Sequence, residues 1–200
     1  HYLFSKAPYV TLQSVPRDFV ELPSQIMENW ITEPEVLKLF AKHYVTGEVI
    51  PDYLITKIKN SSHFNQGFAT VEYLAASFLD MDWHTLTDTK EQDAVKFEEK
   101  SLNKIGLIPE IIARYKSPYF QHIFSGGYSS GYYSYIWAEV LDADAFQSFK
   151  EKGLFDRELA ESFRRNVLER GCIDDAMSMY VKFKGKEPGI DGLLKKRGLK

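Results

Sequence analysis

Apolar residues recur every three or four positions along most of this chain, and that spacing is typical of amphipathic α-helices. The first such helix is predicted to begin at Asp18, after a turn at Pro16. Pro23 lies early in this helix, where it is tolerated with a kink. The apolar face of the helix is formed by Phe19, Leu22, Ile26 and Trp30.

Further helices are predicted wherever the same spacing lies between a start signal and a helix breaker. Pro34, Pro51 and Asp156 are interpreted as starts, and Gly47 and Gly171 as ends. The predicted helices cover residues 34–46, 51–58, 63–78, 91–104, 132–141, 157–170, 174–181 and 190–197.

The segments between these helices are short. Residues 60–62 are predicted to cap the helix that follows them, residues 80–88 to form a polar connection, and residues 119–128 to form a loop. Residues 9–12 fit either a short strand or an extended segment. About eight or nine helices with little strand predict a mainly α fold, organised as a single domain over residues 1–200.

Composition narrows the range of partners. Hydrophobic residues make up 44% of the chain and charged residues 26%, which suits a globular core. The formal net charge of −3 argues against a nucleic-acid partner, because binding to phosphates needs a basic surface. No run of about 18 apolar residues is present, so neither a transmembrane helix nor a membrane partner is predicted. Cys172 is the single cysteine and cannot form an internal disulfide, which favours a reducing compartment, and a cytoplasmic location is expected.

Two carboxylates lie on one face at the start of the first helix. Asp18 and Glu21 are three positions apart, beside the apolar Phe19 and Leu22. A glutamate buried there needs a cation, a hydrogen-bond partner or a metal ion, because an unpaired buried charge is costly. The same spacing also fits a capping box, in which Asp18 caps the helix and Glu21 completes the box. Spacing alone leaves both interpretations open.

A second group of residues combines glycines with tyrosines at helical spacing. Gly126 and Gly127 allow backbone turns and the close approach of another group. The hydroxyls of the tyrosines would share one helical face and could donate to a developing oxyanion. The same spacing also fits a stripe of core residues. The tyrosines are Tyr128, Tyr132 and Tyr135.

Together, the two groups resemble the zinc oligopeptidase family that includes thimet oligopeptidase, neurolysin, oligopeptidase A and dipeptidyl carboxypeptidase. Residues 16–25 match the family stretch Arg-Asp-Phe-Val-Glu-x-Pro-Ser-Gln, and residues 126–137 match its Gly-Gly-Tyr, Tyr-Tyr and Tyr-hydrophobic-Trp block. The similarity continues through residues 183–188 and 197–199 and covers essentially the whole chain. The resemblance implies the C-terminal part of a zincin-type oligopeptidase catalytic domain.

The resemblance also assigns roles to single residues. Glu21 matches the third zinc ligand of a His₂Glu site, and Asp18 matches an acid that orients a ligand or the substrate site. Tyr132 and Tyr135 match tyrosines that contact the substrate and stabilise the tetrahedral intermediate, and His122 matches a histidine near the substrate backbone. The residues that match the loop around the bound peptide, and are predicted to bind substrate, are Gly126, Gly127 and Tyr128.

One part of the family pattern is missing. His-Glu-x-x-His occurs nowhere in this sequence, and His1 matches the histidine that follows that motif by a few residues. We therefore expect the two zinc-binding histidines and the general-base glutamate to lie immediately upstream in the parent protein. The intact enzyme is expected to use zinc and to hydrolyse short peptides, as an oligopeptidase or as a peptidyl-dipeptidase. This chain alone is expected to bind no zinc and to cleave no peptide.

Two other functions fit the same residues. One alternative is a non-catalytic helical module that binds peptides through its tyrosine and glycine loop. The other is a helical scaffold in which the tyrosines only pack. Without the upstream helix, apolar surface is expected to be exposed, and self-association of the chain is then expected.

Overall fold

The computed structural model describes residues 1–9 and 14–200 of the chain. Eleven α-helices are present in this described part, together with one antiparallel β-bridge between Lys42 and Val49. The predicted mainly α fold is confirmed. Residues 10–12 of the predicted strand or extended segment lie outside the described residues. The helices are α1 (Arg17–Val20), α2 (Leu22–Trp30), α3 (Pro34–Phe40), α4 (Asp52–Ser61), α5 (Gln66–His84), α6 (Ala94–Lys104), α7 (Gln121–Phe124), α8 (Ser134–Lys152), α9 (Arg157–Phe163), α10 (Ala176–Lys184) and α11 (Asp191–Lys196).

Two compact units make up the chain. Unit 1 combines two separate stretches of sequence, His1–Phe64 and Ile136–Lys200, whereas unit 2 is the continuous stretch Asn65–Tyr135. The second boundary falls inside α8, directly after Tyr135. The single domain over the whole chain stays a prediction.

The helix predicted from Asp18 is present but broken at Glu21, which separates α1 from α2. Pro23 has no backbone N–H, so it cannot donate to the carbonyl of Phe19 one turn earlier, and the helical hydrogen-bond pattern is interrupted there. The predicted kink is therefore a short break. The buried members of the predicted apolar face are Phe19, Leu22 and Ile26, each at most 2% exposed.

The core of unit 1 joins its two stretches of sequence. Trp30 at the end of α2 lies edge-on to Phe146 and Phe149 of α8, with ring centroids 4.6 and 4.8 Å away. Its indole Nε1 donates to the carbonyl of Leu154 at 2.9 Å. Buried apolar residues of α9 and α10 complete the same cluster. Contacts between residues far apart in the sequence thus hold unit 1 together.

Acidic residues cap the N-terminal ends of α9 and α10. The predicted start at Asp156 is confirmed, since its side chain accepts from the backbone N–H of Leu159 at 2.7 Å. α9 then passes into a π-helical segment, Arg164–Leu168. The cap of α10 is Asp175 rather than the predicted Asp174, whose carboxylate pairs with basic side chains instead.

Two other predictions misplace a helix end. α3 ends at Phe40 rather than near Gly47, because Ala41 adopts an extended backbone with ψ 98°. Gly47 instead takes a positive φ of 74° in the turn that follows. Residues 60–62, which were predicted to cap α5, are instead the last two residues of α4 and its C-cap, Ser62. The N-cap of α5 is Asn65, with a left-handed φ of 54°.

Buried acids stabilise unit 2. α5 runs through Asp80 to His84, so the polar connection predicted for residues 80–88 is wrong over its first part. Asp80 is 1% exposed, and its carboxylate accepts from the backbone N–H groups of Ser130 and Tyr132. Glu98 of α6 is also buried and accepts from the backbone N–H of Ser117 at 2.8 Å. In both cases a helix side chain binds the backbone of a later segment, 50 and 52 positions on for Asp80 and 19 positions on for Glu98.

No helix in the described part of the chain is both long enough and apolar enough to cross a membrane. The longest helices, α5 and α8, have 19 residues each, and charged side chains interrupt both.

Candidate active site

Four of the predicted site residues meet in unit 2. The aromatic rings of His122, Tyr128, Tyr132 and Tyr135 form one group, called the tyrosine cluster below. The ring centroid of Tyr135 lies 5.0 Å from that of Tyr128 and 5.4 Å from that of Tyr132. The ring of His122 lies 5.7 Å from that of Tyr132 and 6.3 Å from that of Tyr135. The predicted grouping of the tyrosines is therefore present, but its helical basis is wrong, because Tyr128 and Tyr132 precede α8, which begins at Ser134.

Two glycines shape the loop that carries Tyr128. The N–H of Gly126 donates to the Gln121 carbonyl at 2.7 Å, and the N–H of Tyr128 donates to the His122 carbonyl at 2.9 Å. A Cβ atom on Gly126 would lie 2.8 Å from the Cα of His122, so a larger residue does not fit without movement of the backbone. Gly127 follows with a positive φ of 81°. The loop therefore folds back over α7 and needs both glycines for its own shape.

The members of the tyrosine cluster differ in exposure. Tyr132 is 4% exposed and Tyr128 8%, whereas His122 and Tyr135 are partly exposed. Tyr132 packs into the core of unit 2, where its ring lies edge-on to Phe120 at 4.9 Å. A core position is therefore established for Tyr132, while Tyr135 presents more of its side chain at the surface.

The hydroxyl of Tyr132 lies in a low-polarity environment. Burial raises the pKa of the Tyr132 phenol well above its ordinary value, and the neighbouring Tyr115 hydroxyl raises it further. The Arg114 guanidinium acts in the opposite direction, and it also lies 3.8 Å from the carboxylate of Glu72. A phenol with a raised pKa stays protonated at neutral pH, so Tyr132 remains a hydrogen-bond donor.

Side chains of α5 bind both polar groups of the Tyr132 backbone. The Oδ2 atom of Asp80 accepts from the Tyr132 N–H at 2.8 Å, and the Tyr73 hydroxyl donates to the Tyr132 carbonyl. The rings of Tyr73 and Tyr132 also stack, with centroids 5.3 Å apart. Local spacing does not single out Asp80 or Tyr73, because their partner lies 52 and 59 positions later in the sequence.

The two acids predicted to serve a metal lie in unit 1. Glu21 is partly exposed between α1 and α2, and its Oε2 accepts from the Ser24 hydroxyl at 2.8 Å. Asp18 lines a pocket of about 210 Å³ together with Trp137 and other residues. The alternative capping box is wrong, because Asp18 lies inside α1, whose N-cap is Pro16. The acids and the tyrosine cluster thus belong to different units.

The donor atoms present do not complete a zinc site. Among residues 1–9 and 14–200, no three His, Cys, Asp or Glu side chains are grouped so as to hold a metal ion. Glu21 offers a single carboxylate, whereas a catalytic zinc ion takes three protein ligands. The residues present therefore do not fit zinc by themselves, and Glu21 stays a predicted ligand.

Known proteins resemble the chain over nearly its full length. The model of peptidase family M3 matches residues 1–199. Dipeptidyl carboxypeptidase of Escherichia coli is 44% identical over 203 residues, which cover 100% of this chain and 30% of that protein. Oligopeptidase A of Escherichia coli is 39% identical over 196 residues, which cover 94% of this chain and 28% of that protein. Saccharolysin of Saccharomyces cerevisiae is 35% identical over 189 residues, which cover 93% of this chain and 26% of that protein.

Proposed function

The chain belongs to peptidase family M3, and from that premise we propose that its parent protein is a zinc metallopeptidase that hydrolyses short peptides. The supporting relatives carry the names dipeptidyl carboxypeptidase, oligopeptidase A and saccharolysin. Because the chain spans 30% or less of their lengths, the activity is proposed for the whole protein, as an oligopeptidase or as a peptidyl-dipeptidase. The observation that carries the proposal is the tyrosine cluster beside its glycine loop.

Within this cluster, Tyr135 is the proposed donor to the substrate. Hydrolysis of a peptide bond passes through a tetrahedral intermediate, whose oxyanion is stabilised by a positioned hydrogen-bond donor. Tyr135 is partly exposed, whereas Tyr132 is 4% exposed and lies deeper in unit 2. We assign the contact with the scissile carbonyl to Tyr135. Tyr132 is proposed to support the Tyr135 ring and to act as a second donor.

The glycine loop and His122 are proposed to bind the peptide backbone. Gly126 and Gly127 are exposed and carry no side chain, so an extended peptide could approach their backbone closely. Tyr128 stacks on Tyr135 and forms the side of the loop nearest the donor. His122 is partly exposed and has an imidazole ring that can donate or accept a hydrogen bond.

For the metal, roles are proposed for two acids of this chain. Glu21 would supply a carboxylate ligand to zinc, and Asp18 would orient a ligand or the substrate site. The remaining ligands are proposed to come from a His-Glu-x-x-His segment of the parent protein. No step of the reaction is assigned through the metal, because the described residues do not complete its site.

For the isolated chain, we propose peptide binding without cleavage. Calorimetry with short peptides tests this, because specific binding gives heats that saturate. Saturable binding without zinc supports a peptide-binding surface in this chain, and chelator-sensitive cleavage by the chain alone contradicts its inactivity. Absence of any binding favours the scaffold in which the tyrosines only pack.

The compartment and the remaining partners stay predictions. The cytoplasmic location rests on Cys172, whose sulfur lies 3.7 Å from the hydroxyl of Ser14. The formal net charge of −3 continues to argue against a nucleic-acid partner.

The decisive experiment removes single hydroxyls from the parent protein. Tyr135→Phe is expected to lower kcat for a fluorogenic peptide about 100-fold with a small change in KM, because an oxyanion donor acts mainly in the transition state. Tyr133→Phe is the matched control, since Tyr133 is exposed, follows Tyr132 directly and lies outside the cluster. A Tyr135→Phe variant with the kcat of the unmodified protein would show that this hydroxyl is not catalytic.

A further inference from the structure

Asp80 of α5 binds the segment that leads into α8. Its Oδ1 accepts from the backbone N–H of Ser130 at 3.0 Å, and its Oδ2 accepts from the backbone N–H of Tyr132 at 2.8 Å. Both oxygens of one carboxylate thus bind alternate amides of a segment about 50 positions later in the sequence. The side chain of Asp80 is 1% exposed, so these bonds are shielded from water.

A histidine side chain also lies beside this carboxylate. The Nδ1 of His84, one turn further along α5, is 2.8 Å from the Oδ1 of Asp80 and 2.9 Å from the Asp80 backbone carbonyl oxygen. A buried carboxylate is costly unless its oxygens accept hydrogen bonds, and here both oxygens do. The carboxylate is therefore fixed in one orientation, in which it holds Ser130 and Tyr132.

The segment bound by Asp80 has a demanding backbone conformation. Ser130 has a φ of +52°, which residues with a side chain rarely adopt. The N–H of Gly131 donates to the carbonyl of Tyr128 at 2.8 Å and closes the turn. The hydrogen bonds that Asp80 accepts from the residues on either side of Gly131 stabilise this turn against more relaxed conformations.

α5 also binds the other polar group of the same residue. The Tyr73 hydroxyl donates to the Tyr132 carbonyl, while Asp80 accepts from the Tyr132 N–H. Tyr73 and Asp80 lie about two turns apart on one face of α5. The backbone of Tyr132 is thus bound at both its N–H and its C=O by one helix, and Tyr135 follows within a single turn of α8.

We propose that Asp80 is a positioning residue for the tyrosine cluster. Its carboxylate fixes the backbone at Tyr132 and thereby sets where the hydroxyl of Tyr135 meets the substrate. Asp80 itself contacts no substrate and acts through the turn that it binds. The inference rests on the proposed peptidase function, and the experiment below separates the failure of one from the failure of the other.

Asp80→Asn in the parent protein is the main test. The variant keeps the size of the side chain but replaces one oxygen with an amide nitrogen, which cannot accept from a backbone N–H. We expect kcat for a short fluorogenic peptide to fall about tenfold or more while KM changes little, because the donor is misplaced rather than lost. Asp82→Asn is the matched control, since Asp82 on the same helix pairs with Ser101 and Lys104 of α6 and is expected to retain full kcat.

A second variant keeps the test independent of the buried charge. Tyr73→Phe removes the hydroxyl that donates to the Tyr132 carbonyl and is expected to lower kcat in the same way. In a Tyr135→Phe background, Asp80→Asn is expected to cost no further kcat, because both changes remove the same contact. If Asp80→Asn acted only by lowering stability, its loss of kcat would add to that of Tyr135→Phe. An additive loss in the double variant would therefore overturn the proposal.

Amide hydrogen exchange gives a measurement that does not depend on activity. In the parent protein, Asp80→Asn is expected to speed exchange at Ser130 and Tyr132 and to leave α6 protected. Unchanged exchange at these amides overturns the proposal, and so does faster exchange with an unchanged kcat. If the unmodified parent protein hydrolyses no short peptide, the proposed function fails, and if Tyr135→Phe keeps full kcat, only the donor role of Tyr135 fails. In either case the exchange rates still decide whether Asp80 holds the turn.

Discussion

The rings of Tyr128 and Tyr135 stack with centroids 5.0 Å apart and planes inclined by 18°. Tyr128 ends the glycine loop, and Tyr135 lies in the first turn of α8. The backbone of Tyr128 is itself fixed by its bond to the His122 carbonyl. The loop therefore contributes to the orientation of the proposed donor, in addition to any contact that it makes with a peptide.

Loss of the Tyr128 ring is expected to weaken catalysis by the parent protein. Tyr128→Leu removes a stacked pair that contributes about 0.5–1.5 kcal/mol, and a looser Tyr135 is expected to lower kcat about threefold to tenfold. Steady-state kinetics with a short fluorogenic peptide measure this. Tyr128→Phe keeps the ring and is expected to stay close to the unmodified protein; equal kcat for the Leu and Phe variants would contradict the orienting role.

Alanine at Gly126 is expected to destabilise the chain. The added Cβ would lie 2.8 Å from the Cα of His122, so backbone atoms must move. The cost is about 1–3 kcal/mol, as for other overpacked sites. Thermal unfolding of the chain measures it. Gly67→Ala is the matched control, because a Cβ at Gly67 in α5 meets nothing within 4 Å and is expected to leave stability equal or slightly higher.

The buried Asp142 is expected to make the stability of unit 1 depend on pH. Burial raises the pKa of Asp142, and the opposing effects of Lys196 and Asn29 do not cancel this. Its Oδ1 accepts from both partners, whereas Oδ2 has no hydrogen-bond partner among the described residues. A carboxyl whose pKa is raised in the folded state lowers stability as pH rises above its ordinary value of 3.8.

Asp142→Asn therefore tests this charge directly. The amide keeps an acceptor at the Oδ1 position and removes the charge, so the variant is expected to be at least as stable as the unmodified chain at pH 7. The difference in unfolding temperature is expected to shrink as pH falls toward 3.8. The prediction would be contradicted if Asp142→Asn lowered stability equally at pH 7 and at low pH. That result would show that Lys196 fully compensates the charge of the Asp142 carboxylate.

The isolated chain is expected to self-associate through α5. The exposed apolar residues Phe68, Val71 and Phe78 are three and seven positions apart, so they follow one side of that helix. Phe78→Lys is expected to reduce the average mass in light scattering, because a charge disrupts a shared apolar surface. Ile190→Lys, at an exposed apolar residue of unit 1, is the control. A monodisperse monomer before any substitution would contradict this expectation.

Local sequence signals located most of the helices, because prolines and capping acids act on their immediate neighbours. Pro34, Pro51 and Asp156 are close to observed helix starts for this reason. Gly47 was a poorer guide, since a glycine with positive φ marks a turn without fixing where the preceding helix ends. The other errors are also local, since Asp174 pairs with Arg170 and Lys182 instead of capping α10.

The candidate site could likewise be predicted only in part from local sequence signals. Helical spacing predicted that Tyr132 and Tyr135 would share a helical face; their rings are 5.4 Å apart, but Tyr132 lies in the turn before α8. The spacing could not predict the contributions of Tyr73 and Asp80, because those residues reach the cluster from a helix more than 50 positions earlier. The sequence predicted a polar connection at Asp80. Its burial is explained only by its hydrogen bonds with the backbone of Ser130 and Tyr132.

The interrupted sequence of unit 1 has a consequence for synthesis of the protein on the ribosome. Unit 2 is continuous, so all of Asn65–Tyr135 is made before the second stretch of unit 1 exists. The hydrogen bond from Trp30 to the Leu154 carbonyl can form only after Leu154 has been made, 124 positions later. During that interval the apolar face of α2 has none of its native partners from α8, α9 or α10. The stretch His1–Phe64 therefore stays without these partners until Ile136–Lys200 has been made.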